Sequence, residues 1–165
     1  MALTSLGIVE IQLNPSLLSQ REKAAALFFK SYEIDDTNPL TMKHLADFFF
    51  FENDLKLSES LCKRAIFYCE RLKRPDTSDI PTFRREVYLL KSDIFFILGK
   101  VYHKEEDYES ALVNYFKTIE INHQNYAAHF CLAKIHYLNG SLNAVDETLN
   151  KILGVPQFKE CHEAL

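Results

Sequence analysis

The stretch Ser92–Asn125, SDIFFILGKVYHKEEDYESALVNYFKTIEINHQN, constrains the fold most. It holds two helical patterns separated by the polar turn KEED. Phe95, Leu98, Gly99 and Tyr102 share one face of the first pattern, at spacings of three, one and three. Ala111, Tyr115 and Ile119 recur every four residues in the second. A small residue in each, Gly99 and Ala111, lets two helices cross closely. Tyr102 and Tyr115, a turn further on, would fill the space beside that crossing.

The unit recurs along the chain. Leu3, Leu6, Gly7 and Glu10 hold the first-helix spacing within an amphipathic stretch over 2–13. After the Asn14-Pro15 turn, Ala24, Phe28 and Ser31 hold the second-helix spacing. Asp36-Thr37-Asn38-Pro39 is the next break, with a capping residue and a proline suited to a first helical turn. Met42, Leu45, Ala46 and Phe49 follow, then ENDL, then Ser58, Cys62 and Ala65. A further unit opens at Tyr126 with His129, Leu132, Ala133 and His136. Gly140 turns the chain into Val145, Leu149 and Ile152, and Gly154-Val155-Pro156 ends the run.

This spacing resembles the tetratricopeptide repeat, a helix-turn-helix of about 34 residues. The resemblance covers nearly the whole chain. It implies an all-α, right-handed α-solenoid of tetratricopeptide helix-turn-helix repeats. The expected repeats are about 1–38, 39–91, 92–125 and 126–157, with another starting over 158–165. The expected packing residues are Leu45, Ala46, Ala65, Phe95, Leu98, Gly99, Tyr102, Ala111, Tyr115, Leu132 and Ala133. From Pro39 to Ser92 the period is exceeded by about 19 residues. The excess, an insertion near 66–91, predicts a helix running on to about Lys73, a loop pinned by Pro75 and Pro81, and an early start to the next helix across Arg84–Lys91. Solenoid ends need polar capping, yet Leu3, Leu6, Ile8 and Leu165 lie at these ends, so a segment of a longer array is expected.

A narrower resemblance lies at 22–54. Ser31-Tyr32-Glu33-Ile34-Asp35-Asp36-Thr37-Asn38-Pro39, followed by His44-Leu45-Ala46 and Phe48-Phe49-Phe50, is similar to the tetratricopeptide scaffold subunits of the RNA polymerase II-associated factor complex. Asp36 stands where that family has proline. The resemblance implies a nuclear scaffold in transcription elongation, with other subunits of the complex as partners bound through extended segments.

Composition narrows the function classes. The net charge is −4, which gives no overall bias toward nucleic acid. The four cysteines, Cys62, Cys69, Cys131 and Cys161, form no C-x-x-C pair, and the chain lacks a basic secretory start. A reduced, intracellular setting is expected. No phosphate-binding glycine loop, H-E-x-x-H or serine elbow is present, so no enzyme and no cofactor are expected. His129 and His136 share a helix face but Cys131 points elsewhere, so no metal site is expected.

Solenoids bind extended partners on their concave side. The first-helix positions facing that side are Lys43, Asp47, Phe50, Phe51, Phe96, Lys100, His103, Lys104, Phe130, Lys134, Tyr137 and Leu138. Aromatics beside lysines suit a peptide with apolar anchors and acidic character. The competing expectation is that the aromatics pack between repeats and the lysines are solvated. A carboxylate clamp of the chaperone-adaptor kind is disfavoured: its places hold Lys43, Asp47, Ile97, Ala127 and Cys131, and Asp47 repels a carboxylate. A second candidate is the basic patch Lys63, Arg64, Arg71, Lys73, Arg74, Arg84 and Arg85. It is either a solvated helix face or a contact for an acidic partner or nucleic-acid backbone.

Overall fold

The computed structural model describes residues 2–13, 18–72 and 80–153. Eight helices follow one another: α1 (Ala2–Leu13), α2 (Leu18–Ile34), α3 (Pro39–Phe51), α4 (Leu55–Cys69), α5 (Ile80–Lys104), α6 (Tyr108–Ile121), α7 (Tyr126–Leu138) and α8 (Leu142–Leu153). There is no strand among the described residues. Each odd helix packs on the even helix after it, and each even helix on the next odd one. In addition α3 touches α5 directly. The result is an α-solenoid of stacked helix pairs.

The sequence begins four of its helices by one recurring device. Asn38, Asp54, Asp107 and Asn125 each cap the following helix by accepting backbone N–H groups on the side chain, at 3.0–3.3 Å. Inside three of the pairs, the turn residue before or near that cap is left-handed: Asn53 (φ 65°), Glu106 (φ 63°) and Gly140 (φ 71°). The N–H after each bonds five residues back, Asp54 to Phe49, Asp107 to Tyr102 and Ser141 to His136, at 2.9–3.0 Å. These bonds satisfy the last carbonyls of the odd helix and reverse the chain in one step.

The close crossings fall at the expected small residues. A methyl group added to Gly99 would lie 2.6 Å from the Tyr115 ring, and one added to Gly7 would lie 2.6 Å from the Phe28 ring. Ala46, Ala65 and Ala111 are fully buried, and Ala133 nearly so. The main core gathers Phe28, Met42, Leu45, Cys62, Ile94 and Leu98; a second cluster holds Ala111, Tyr115, Leu132 and Ile135. Tyr102 packs against both and donates its hydroxyl to Glu59 at 2.7 Å.

Several expectations need correction. Phe95 is not a core residue; it is half-buried with the Lys117 ammonium over its ring at 5.3 Å. Ile94, Ile97 and Val101 are the buried side chains instead, because α5 is packed against α3, α4 and α6 and so buries a wider arc than one stripe. The α1 stretch is not cleanly amphipathic: Leu6 and Val9 are exposed opposite its buried Thr4 and Gly7. Helix α4 stops at Cys69, where the Glu70 N–H caps it, short of Lys73. The next helix does start before Ser92, but α5 begins at Ile80, ahead of the expected Arg84, and takes Pro81, expected in the loop, into its first turn. Pro75 and the stretch beyond Gly154 lie outside the described residues.

One feature carried no sequence signal. Thr4, Ser31 and Thr41 form a closed ring of buried hydroxyls, at 2.8, 2.9 and 3.3 Å, joining α1, α2 and α3. Each hydroxyl can donate once and accept, so the ring satisfies all three in a buried crossing.

Candidate functional site

An open groove of about 600 Å³ crosses α3, α5 and α7. It gathers seven of the expected surface residues: Phe50, Lys100, His103, Lys104, Phe130, Lys134 and Leu138. Register explains the grouping. Lys100 and Lys134 are one repeat apart, as are Phe96 and Phe130, so equivalent faces of successive odd helices align. The groove also takes in Glu106, Tyr108, Tyr115 and Cys131, which first-helix reasoning missed. Tyr108 and Tyr115 come from α6, whose near edge closes the groove floor.

The remaining expected residues lie around it. Asp47 accepts an ion pair from Lys100 at 2.9 Å and lines a smaller cavity of about 210 Å³ with Phe51, Arg21 and His44. Arg21 lies over the Phe51 ring at 4.2 Å. Phe96 packs on the Tyr115 ring with centroids 5.9 Å apart. Lys43 pairs with Asp93 at 3.7 Å. Tyr137 is 65% exposed and stands outside the groove lining.

The electrostatics of the groove are uneven. Lys100 is compensated by Asp47, and its ammonium lies 4.5 Å from the Phe50 ring centre and 5.5 Å from those of Phe51 and Phe96. That cluster of cation–π contacts fastens α3 to α5. Lys104 rests at 5.2 Å over Phe50, and no carboxylate among the described residues pairs with it or with Lys134. Phe130 is 63% exposed between them. The groove thus offers two uncompensated cations beside an exposed aromatic.

Burial shifts its titratable groups. Burial, aided by the Lys134 charge, pushes the His103 imidazole below its usual range. Its Nδ1 lies 3.3 Å from the Tyr115 hydroxyl. Burial raises both the Tyr115 hydroxyl and the Cys131 thiol, so neither supplies an anion near neutrality. Cys62 and Cys69 are core thiols, pushed by burial to about 12 and about 11. His129 donates from Nε2 to the His123 carbonyl at 3.2 Å. No helix among the described residues is long and apolar enough to cross a membrane.

Three members of the basic patch, Lys63, Arg64 and Arg71, are held in separate contacts within the chain. Lys63 pairs with Glu59 at 2.6 Å. Arg64 donates to the Tyr32 hydroxyl and pairs with Asp36 at 3.3 Å, tying α4 to the end of α2. Arg71 lies flat over the Phe67 ring at 3.4 Å and donates to the Phe67 carbonyl. Arg84 and Arg85 are exposed on α5, while Lys73 and Arg74 lie outside the described residues. The places of a carboxylate clamp are also otherwise occupied: Lys43 and Asp47 are paired, and Ile97 is buried.

Comparison with known proteins agrees with this architecture. Residues 99–140 match the family model described as TPR repeat. A chain in the crystal structure of the APC/C hetero-tetramer Cut9–Hcn1 superposes with a TM-score of 0.76 at 15% identity, over 94% of this chain and 27% of that one. The fold is a tetratricopeptide-repeat solenoid. Among curated proteins, the solenoid is 24% identical over 136 residues to the RNA polymerase-associated protein CTR9 of Caenorhabditis elegans. That match takes in 82% of this chain but spans only 10% of the relative's length.

Proposed function

We propose that this solenoid is a protein-interaction scaffold of a nuclear transcription-elongation assembly, and that its groove across α3, α5 and α7 holds an extended segment of another subunit. The observation that carries the reading is the pairing of uncompensated Lys104 and Lys134 with exposed Phe130 in one groove. A segment with an apolar anchor and acidic neighbours would bury the ring and meet both ammonium groups. The similarity to an RNA polymerase-associated protein supports the setting. The same likeness supports a nuclear location.

The test is charge reversal in the tagged protein expressed in cells. Lys104→Glu with Lys134→Glu is expected to leave helix content and melting unchanged, since both side chains are exposed. Co-purification of RNA polymerase II is expected to fall about tenfold or more. The reading is wrong if the unaltered protein brings down no polymerase, or if the doubly reversed variant brings down as much.

A further inference from the structure

We infer that the overhanging first half of α5 is a second docking surface, for an acidic amphipathic segment of a protein partner. Helix α5 has 25 residues where its partner α6 has 14. From Ser92 onward one face of α5 is covered by α6: the Ser92 hydroxyl donates to the Thr118 carbonyl at 3.1 Å, and Gly99 abuts Tyr115. Arg84, Arg85 and Tyr88 precede Ser92 by eight, seven and four residues, so they continue that same face. They lie beyond the end of α6 at Ile121. Tyr88 is 58% exposed there, and Leu89 beside it 40%. The α5–α6 interface therefore runs on as a helix face without its covering helix.

Two further observations say what covers it. A cavity of about 210 Å³ opens beside this face, floored by Cys69, Phe83 and Val87 and rimmed by Arg84, Tyr88 and Lys91. Its floor is apolar and suits one large apolar side chain. The charges beside it are unequal. Lys91 is paired with Glu70 at 3.6 Å, and Arg71 is laid on Phe67. No carboxylate among the described residues pairs with Arg84 or Arg85. Arg84 on the rim of the apolar cavity and Arg85 one residue on, neither paired with a described carboxylate, select an apolar anchor flanked by carboxylates. A nucleic-acid strand is the poorer fit. It needs a track of cations along its phosphates, and here the neighbouring Lys91 is already paired with Glu70. This surface is separate from the groove across α3, α5 and α7, and it stands or falls independently of that site.

The experiment is fluorescence anisotropy on the whole protein. The probe is a synthetic helix of about 18 residues, with leucine and phenylalanine on one face and glutamate on the other. Binding is expected, and Arg84→Glu with Arg85→Glu should weaken it about tenfold or more at unchanged melting temperature. Tyr88→Ser should weaken it as well, whereas Lys104→Glu with Lys134→Glu should not. A peptide with its apolar face changed to serine should bind markedly less. The inference is overturned by any of five results. The probe fails to bind, or binds the Arg84→Glu, Arg85→Glu protein equally well. The probe is lost with the groove lysines instead. An oligouridylate binds this face more tightly than the peptide, with a steep salt dependence. The protein self-associates in sedimentation through Tyr88, which would seat a second copy there.

Discussion

At the scale of single residues, two contacts carry most of the information about this fold. Gly99 is required by space rather than by backbone freedom: it lies inside a helix, and the Tyr115 ring occupies the room a methyl group would take. Gly99→Ala should gain up to about 1 kcal/mol of helix propensity and lose about 1–3 kcal/mol by overpacking, leaving a net loss. Urea unfolding measures it. A double-mutant cycle with Tyr115→Leu should recover much of the loss, because the smaller side chain vacates the space. His44 gives the second test. Its ring stacks on Phe28 at 4.8 Å, and burial, reinforced by Lys43 and opposed by Asp47, depresses it from 6.5 to about 3. Below pH 6.5 the unfolded chain takes up a proton that the folded chain refuses until about pH 3. Stability from this group is therefore full above pH 6.5 and falls as pH drops, by about 2 kcal/mol between pH 6.5 and pH 5. His44→Phe should remove that part of the slope in urea midpoints taken across this range. An unchanged slope would mean that the ring is protonated in the folded state.

At the scale of helices, the turns between helix pairs were legible as polar breaks, but their backbone state was not. ENDL, KEED and NGS all form the same left-handed turn, with Asn53, Glu106 and Gly140 at its positive-φ position. Glycine or asparagine is ordinary there, and glutamate is not. The conformation at Glu106 is imposed by the flanking bonds, in which the Asp107 N–H reaches the Tyr102 carbonyl and the Asp107 side chain caps α6. Glu106→Gly should then stabilise the fold by up to about 1 kcal/mol, read as a raised urea midpoint, after the entropy of glycine is subtracted. Helix lengths were less legible. Composition ran α4 on toward Lys73, yet it closes at Cys69, while α5 begins at Ile80, ahead of the expected Arg84, with Pro81 in its first turn and not in the loop. Residues on α5 show why a single stripe misleads: Ile94, Ile97 and Val101 are buried because three helices surround them, and Phe95 is left at the rim.

At the scale of the whole molecule, stacking turns a repeated spacing into two kinds of surface. Equivalent positions on α5 and α7 align, which brings Lys100, Lys104, Phe130 and Lys134 into one groove with Phe50 of α3. The break in period leaves α5 longer than its partner and exposes the Arg84–Leu89 face. The all-helical class, the helix pairs and the crossings at Gly7, Ala46, Gly99 and Ala111 were legible along the chain. These depend on local periodicity and on residue size, and both can be read along one chain. Which cations find a carboxylate depends on the stacking of the helices. Lys100 meets Asp47 across 53 positions of sequence and Arg64 meets Asp36 across 28, while Lys104 and Lys134 meet no described carboxylate. Nor could spacing foretell the Thr4–Ser31–Thr41 hydroxyl ring. Pairing of this kind is fixed by how helices distant in sequence are brought side by side, and no local pattern records it.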